Sequence, residues 1–442
     1  MNRTLKTTLL LVAGLWILPA GCSTIDSLVD VDDPDIVNPS DLQSPAGAVA
    51  AYAGGLGDFS LAIVGDNGGT EGEILVGGMM TDEYVHAETF PTRLEYERRS
   101  INQNNNASLT AVARNLHRAR FSLEQAAALL QTYAATPPSR IGETFALAGY
   151  TYVFFAETYC SGMPFSTASE YGTPKTTTEM LRLAIERFDT ALTYLAATDT
   201  ATVRRRQFAA VGKARALMGI GTTEFANAAA AVAGVPVSFV YNTTHSTATG
   251  RQQNGVHVFN FLSERWSVAD NEGGNGLNFR SANDPRVQVT SGGVGFDAIT
   301  PQWNLTKYPA RTTPLPIANG IEAKLIIAEA LLAQGNPTAW LDTLNFIRAN
   351  GGVAGLAALA DPGTATGRED LMFRERAFWL FATGHRLGDL RRLMRQYGRA
   401  EDAVFPTGIH FKGDAYGNDV NIPVPPEERA NPNFTGCSTT TP

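Results

Sequence analysis

The sequence has few of the residue types that hold metal ions. It contains only 3 cysteines and 6 histidines in 442 residues. No two histidines share one helix face at the spacing of a zinc site. We therefore predict neither a metal site nor a cofactor.

The sequence also lacks the short motifs that carry common enzymatic chemistry. It has no Gly-x-Ser-x-Gly nucleophile elbow, no His-Glu-x-x-His helix and no phosphate-binding loop that ends in Gly-Lys-Ser/Thr. Two glycine-rich runs, at 273–276 and 292–295, do not complete a dinucleotide-binding fingerprint. The motif search therefore identifies no catalytic residue.

Positive charge is scarce as well. The chain has 35 Lys and Arg residues against 43 Asp and Glu residues, which gives a net charge of −8. Its basic clusters, such as 204–206, are short. A nucleic-acid backbone requires a concentrated basic face. We therefore predict no nucleic-acid partner.

The N-terminus resembles an export signal. Residues 1–21 start with positive charge, continue with a short apolar stretch and end in small residues directly before Cys22. This pattern is typical of a secretory signal peptide, and the Ala-Gly-Cys ending resembles a bacterial lipobox, in which the cysteine carries the lipid. An ordinary signal peptide with an incidental cysteine is the alternative. Residues 22–45, rich in Asp, Pro and Ser, are predicted to form the lipid anchor and tether.

A helical region is predicted over 46–234. Apolar residues recur at alternating steps of three and four from 109 to 130 and again from 141 to 159, which predicts two long helices joined by a short link. Further helices are expected after Thr176, where a capping box with Glu179 precedes an apolar stripe.

One stretch interrupts this helical pattern. The glycine-rich stretch 54–78 predicts irregular chain.

The C-terminal region, 319–442, is expected to contain further helices at about 320–334, 338–349 and 369–397, followed by a closing loop. The last of these helices is expected to be interrupted at Gly384. Helix pairs of uneven length predict a mostly α fold, a tetratricopeptide-like superhelix with an irregular insert.

The insert, residues 235–318, is the predicted place for a ligand. It is rich in Gly, Asn, Thr and Pro and has no sustained helical stripe. Loops on a rigid scaffold commonly carry binding residues. Aromatic faces suit the apolar C–H faces of sugars, so Trp266, Trp303 and Tyr241 are candidate ligand residues, and Arg280 is a candidate polar partner. The alternative is that each aromatic side chain only packs the insert onto the helices.

Two cysteines remain after Cys22. An exported protein meets oxidising conditions, so Cys160 and Cys437 are a candidate disulfide pair. The alternative is two unrelated thiols.

Buried carboxylates are the remaining candidates for chemistry. Glu157 and Glu329 lie in apolar helical runs, and residues 374–392 are dense in Arg, Glu, Asp and His. A buried carboxyl group can act as an acid. We favour the interpretation that these carboxylates form ion pairs between helices.

Several short blocks stand in a fixed order along the chain, at 30–42, 150–165, 283–286, 307–308, 326–330, 344–348, 374–392 and 422–432. Together they resemble the SusD/RagB family of outer-membrane nutrient-binding lipoproteins. The most specific block, 374–392, is similar to the family's arginine-rich region, with Ala-Thr before Gly384 where a Glu is usual and Gly388 where an aromatic residue is common.

The resemblance implies a superhelix of tetratricopeptide-like helix pairs on the cell surface. It implies a lipid-anchored outer-membrane protein that binds an oligosaccharide or a peptide and delivers it to a SusC-like TonB-dependent transporter. It also implies a binding protein that is not an enzyme. It assigns no ligand residue, because the family's ligand contacts vary widely. Two other readings stay open: a helical-repeat adaptor for envelope proteins, and a surface-tethered hydrolase that uses Glu157, Glu329 or the 374–392 cluster.

Overall fold

The computed structural model describes residues 41–167 and 169–442. The predicted signal peptide, Cys22 and most of the predicted tether lie outside the described residues. Among the described helices, one (Pro45–Val64) is long and apolar enough to cross a membrane by length and composition. It packs along another long helix of the fold, so its apolar face belongs to the core.

Helices dominate the described chain, which confirms the mostly α fold class. The long helices are α1 (Pro45–Val64), α4 (Ala107–Tyr133), α5 (Pro138–Thr158), α6 (Thr177–Thr193), α7 (Thr200–Ile220), α10 (Gly320–Ala333), α11 (Pro337–Asn350), α12 (Ala365–Trp379) and α13 (Arg386–Tyr397). The shorter ones are α2 (Glu73–Met79), α3 (Pro91–Glu97), α8 (Phe225–Val232), α9 (Gly255–His257), α14 (Glu401–Val404) and α15 (Pro426–Arg429).

The long helices pack in chain order. Helix α4 contacts α1 and α5, α6 lies between α5 and α7, and α8 links α7 to α10, which pairs with α11. Short links between successive helices make antiparallel hairpins. The apolar stripes meet between these helices in one large core, which includes Leu116, Phe155 and Phe188. This arrangement provides the rigid scaffold that the periodicity predicts.

Local sequence signals fix several helix ends. The Thr176 hydroxyl accepts the Glu179 N–H, and the Glu179 carboxylate accepts the Thr176 N–H, so α6 starts with the predicted capping box. The predicted interruption at Gly384 separates α12 from α13. Gly384 has φ +74°, and a Cβ atom there would lie 2.9 Å from Phe154.

The prediction of irregular chain over 54–78 is wrong for most of that stretch. Residues 54–64 belong to α1 and residues 73–78 to α2. A Cβ atom on Gly55 would lie 3.0 Å from Leu123 of α4. Glycine here therefore lets two helices approach closely, which outweighs its low helix propensity.

Short strands occur mainly in the insert. They are β1 (Tyr84–His86), β2 (Met163–Pro164), β3 (Pro174–Lys175), β4 (Val240–Thr243), β5 (Trp266–Val268), β6 (Val289–Val294), β7 (Pro301–Leu305) and β8 (Leu315–Asn319). They form the antiparallel pairs β1–β5, β2–β3, β4–β8 and β6–β7. The β4–β8 pair joins the two ends of the insert, and β1 ties its middle to the N-terminal region.

The C-terminal segment closes over the helices. A disulfide bond joins Cys160, just after α5, to Cys437 across 277 residues. The Cys160 N–H also donates to the Ile422 carbonyl at 3.0 Å. These contacts fix the closing loop against the scaffold.

Candidate ligand-binding cleft

A cleft of about 550 Å³ opens between the insert and the closing loop. One wall comes from β5 and the turn after it, a second from the start of β7, and a third from the loop at 407–416. The lining residues are Val85, Ser267, Val268, Ala269, Asp270, Asn271, Glu272, Gly273, Gly274, Arg280, Thr300, Pro301, Trp303, Thr407, Gly408, Ile409, Phe411 and Tyr416. The volume lies in the range of small-molecule sites.

Two of the predicted ligand residues meet in this cleft. The Arg280 guanidinium carbon lies 4.8 Å from the centroid of the Trp303 ring, a cation–π arrangement. The backbone N–H of Trp303 donates to the Ser267 hydroxyl at 2.8 Å, which fixes β7 against β5. Both side chains are half-buried.

The Arg280 side chain has no acceptor in the part of the chain that the structure describes. Its backbone N–H donates to the Asp270 carboxylate at 2.9 Å, which positions the residue, but Nε is hidden from solvent without a hydrogen-bond partner. Partial burial lowers the pKa of Arg280, and the negative charges of Asp270 and Glu272 offset part of this effect. The guanidinium stays charged at neutral pH.

The structure does not place the other two aromatic candidates, Trp266 and Tyr241, in this cleft. Trp266 has no exposed surface, because β5 is covered on both faces. Its indole N–H donates to the Glu88 carboxylate at 3.1 Å, and its ring packs against those of Tyr84 and Phe259. Trp266 therefore belongs to the core of the insert and presents no face to a ligand.

Tyr241 likewise packs the insert onto the helices. Its ring stacks on Phe208 of α7 with a centroid separation of 3.7 Å, and its hydroxyl donates to Glu143 of α5 at 2.7 Å. It is 8% exposed and does not line the cleft. The alternative given for the aromatics, packing alone, holds for Tyr241 and Trp266.

The residues of the opposite wall of the cleft were not predicted from the sequence. Ile409 and Phe411 line the cleft and are 74% and 52% exposed. They lie in a Gly- and Pro-rich tail without periodicity, about 100 residues from Trp303, so no local pattern marks them. The nearest signal was the presence of two large apolar residues in a polar loop.

A buried polar cluster of Glu97, Glu272 and His410 adjoins the cleft, and of the three only Glu272 lines it. Burial, followed by the neighbouring Glu97 charge, raises the pKa of Glu272 to about 8. The Tyr416 hydroxyl donates to Glu272. One donor atom from each of the three residues lies within 4.8 Å of the others, a spacing that a metal ion could bridge.

The histidine chemistry does not fit a metal in this cluster. His410 Nδ1 accepts the Lys412 N–H at 3.1 Å, so in the neutral imidazole Nε2 carries the proton. That nitrogen faces the Glu97 carboxylate at 3.0 Å and has no lone pair to offer. The arrangement is a contact between an imidazole N–H and a carboxylate.

The predicted ion pairs between helices are confirmed. Arg215 of α7 donates to Glu157 of α5 at 2.9 Å, and Arg392 of α13 pairs with Glu329 of α10. Burial alone would raise the pKa of Asp389, but its charged neighbours, Arg376 and Arg392, hold it below its usual value. These groups surround a void of about 10 Å³, too small for an oligomer.

Comparison with known proteins gives a consistent result for the fold. No protein-family profile matches the chain, and no curated protein matches it. Among solved structures, a SusD superfamily protein from Bacteroides thetaiotaomicron is similar over 89% of this chain and 100% of its own, with 14% identity and a TM-score of 0.65. A SusD superfamily protein from Bacteroides fragilis is similar over 89% and 99%, with 13% identity and a TM-score of 0.65.

A third structure carries a functional description. It is a SusD-like carbohydrate binding protein from Bacteroides vulgatus, similar over 78% of this chain and 83% of its own, with 13% identity and a TM-score of 0.58. Likeness at such identities establishes the fold. The chain therefore has the fold of the SusD superfamily, which confirms the resemblance seen in its sequence.

Proposed function

We propose that this protein captures an oligomeric nutrient, a glycan or a peptide, and delivers it to a SusC-like TonB-dependent transporter. The observation that carries the proposal is the cleft with its half-buried Trp303 and Arg280 on one side and its exposed Ile409 and Phe411 on the other. The structural neighbour from Bacteroides vulgatus is described as carbohydrate binding, which favours a glycan.

The chemistry of the walls suits a sugar chain. Trp303, Ile409 and Phe411 offer apolar surface for C–H faces, while Arg280 and Asn271 offer hydrogen-bonding groups for the rim hydroxyls. Arg280 covers one face of the indole. The ligand therefore meets the guanidinium and the remaining exposed surface of the ring as one composite wall.

Titration calorimetry with a panel of glycan oligomers and peptides tests the proposal. We expect one binding site whose affinity falls about tenfold in Trp303→Ala, since the loss of roughly 55 Å² of apolar contact with the ligand costs on the order of 1.4 kcal/mol. Tyr241→Phe is the matched control, because this ring is aromatic and in the insert but outside the cleft. Equal affinity in wild type and Trp303→Ala would remove the cleft as the binding site.

The membrane attachment is proposed on the N-terminal sequence. Lipidation at Cys22 would hold the protein at the outer membrane, facing the cell surface, where a transporter partner is accessible. Cys22→Ala should move the protein to the soluble fraction.

The transporter partner is tested by capturing the tagged wild-type protein from gently solubilised membranes and identifying what co-purifies by mass spectrometry. We expect a TonB-dependent transporter in near-equal amount. Recovery of other envelope proteins instead would favour the adaptor.

A hydrolase is the less favoured reading, although Asp270 and Glu272 both line the cleft. One Asp270 oxygen accepts the backbone N–H groups of Arg280 and Ser281, and Glu272 accepts the Tyr416 hydroxyl. Both carboxylates thus hold loops in place. Chromatography of bound glycans after prolonged incubation should show intact oligomers; shortened products would establish an enzyme.

A further inference from the structure

Within the described residues, the side chain of Arg280 has no acceptor, unlike the side chains of three buried arginines. Arg215 donates to Glu157, Arg386 to Asp82 and Arg376 to Asp389, each at 2.6–2.9 Å. Within residues 41–167 and 169–442, the guanidinium of Arg280 makes no hydrogen bond and no ion pair with the protein. Its Nε is also hidden from solvent. The Nε atoms of Arg99 and Arg348 are hidden in the same way, but their terminal nitrogens donate to protein oxygens, so Arg280 is set apart by a guanidinium with no acceptor at all within the described residues.

The surroundings of Arg280 hold it in place for an acceptor from a ligand. Its backbone N–H and that of Ser281 donate to Asp270, both at 2.9 Å, and its guanidinium lies on the Trp303 ring. A guanidinium fixed on an aromatic face loses little further freedom when it binds a planar group. The group that best matches its fork is a carboxylate, which can accept two parallel hydrogen bonds.

Two carboxylates in the same cleft already have donors from the protein. Asp270 accepts two backbone N–H groups and the Ser281 hydroxyl, and Glu272 accepts the Tyr416 hydroxyl. Neither forms an ion pair with Arg280 within the described chain. Their charges weaken the attraction of an anion from a distance, so selectivity for an acid depends on direct contact with the guanidinium.

We propose that the ligand of this cleft carries a carboxylate that binds Arg280, and that its class is an oligosaccharide containing uronic acid. The inference rests on the proposed function, because it names the ligand class of the same cleft. A sugar is favoured over a peptide because the carboxylate of a uronic acid is attached to a ring, and this ring can lie against Trp303 while its carboxylate meets the guanidinium.

The decisive probe is a matched pair of ligands. Short oligogalacturonides and their methyl esters have the same ring and length, but the esters carry no charge. With the wild-type protein at low salt we expect the acid to bind at least tenfold more tightly than the ester, because charge-assisted bidentate contacts are the strong ones. The preference should shrink as salt is added.

Variants of Arg280 test whether its guanidinium causes the preference for the acid over the ester. Arg280→Gln should remove the preference for the acid, so that acid and ester bind about equally, while Arg280→Lys should keep part of the preference, because the charge remains without the fork. Arg368→Gln is the matched control: it removes one positive charge from an exposed pair with Asp361, outside the cleft. Its binding should equal that of the wild type.

The outcomes separate this inference from the proposed function. Equal binding of acid and ester, or an acid preference that survives in Arg280→Gln, would overturn the inference while leaving nutrient capture intact. Tight binding of acidic peptides such as oligoglutamate, with no binding of uronate oligomers, would overturn the glycan class. No binding of any glycan or peptide would overturn both. Circular dichroism of each variant shows that it is folded before binding is compared.

Discussion

The helical scaffold and the cleft use the same residue types in opposite ways. In the scaffold, the carboxylate of Glu157 on a neighbouring helix accepts from the guanidinium of Arg215. In the cleft, Arg280 lies on Trp303 and donates to no protein group within the described chain. The two arginines therefore differ in whether a protein carboxylate accepts from the guanidinium, and of the two only Arg280 lines the cleft.

The two tryptophans of the insert repeat this contrast. Trp266 is fully buried and its N–H is satisfied by Glu88, whereas Trp303 is half-buried and lines the cleft. The rings lie on strands that pack against each other through Ser267. Tryptophans on two neighbouring strands therefore differ in exposure, and we propose a ligand contact only for Trp303.

Replacing these tryptophans should give the largest difference between the two regions. Trp266→Ala should lower the free energy of unfolding by about 3–5 kcal/mol, because it leaves a cavity and an unpaired Glu88 oxygen. Trp303→Ala should lower it by about 1 kcal/mol, because much of that ring already contacts water. Denaturant unfolding followed by circular dichroism measures both. A loss in Trp303→Ala as large as that in Trp266→Ala would make Trp303 a core residue.

The two arginines allow a similarly direct test. Arg215→Met should destabilise the protein by about 3–5 kcal/mol, because it leaves Glu157 and the Gly384 carbonyl without their cation. Arg280→Gln should change stability by only about 0.5–1 kcal/mol, since it loses the cation–π contact with Trp303 but no hydrogen-bond acceptor within the described chain. Thermal unfolding compares the two variants under one buffer. The double variant Glu157→Gln/Arg215→Met should recover part of the loss; no recovery would mean that the pair itself is not the cause.

The scaffold was predictable from the sequence because its signals are local. The stripe that starts at Leu109 lies in a helix that begins at Ala107, and the capping box at Thr176 forms as predicted. Periodicity and caps depend on neighbours within a few residues. The prediction for the glycine-rich stretch 54–78 was wrong because the close contact of Gly55 is with Leu123, on a helix far away in the sequence.

The cleft was only partly predictable, for the same reason. Whether an aromatic residue of the insert is buried depends on distant segments: Trp266 pairs in register with His86, and Tyr241 stacks on Phe208. Trp303 and Arg280 were among the candidates, but their contact was not foreseen. Ile409 and Phe411 reach the cleft only because the closing loop is fixed to the scaffold. Such long-range contacts leave no periodic pattern in the sequence.

The smallest expected contrast concerns two carboxyl groups, Glu73 in the scaffold and Glu272 in the cleft. Burial raises the pKa of each to about 8, against about 4.3 in an unfolded chain. Between about pH 4.3 and pH 8 the folded state therefore binds more protons than the unfolded state. The contribution of each carboxyl group to the free energy of unfolding is fully present below about pH 4.3 and is lost as the pH rises through 8.

Unfolding measurements from pH 5 to pH 9 should show this fall in stability, on the order of a few kcal/mol, for the wild type. Glu73→Gln and Glu272→Gln should each flatten the profile and raise stability at pH 9, because a neutral amide replaces a buried charge. Only Glu272→Gln should also alter ligand affinity, since Glu73 lies in α2, hydrogen-bonded to Tyr159, and does not line the cleft. An unchanged slope in Glu73→Gln would show that this carboxyl group is already ionised in the folded scaffold. An effect of Glu73→Gln on binding would mean that the scaffold and the cleft are coupled through α2.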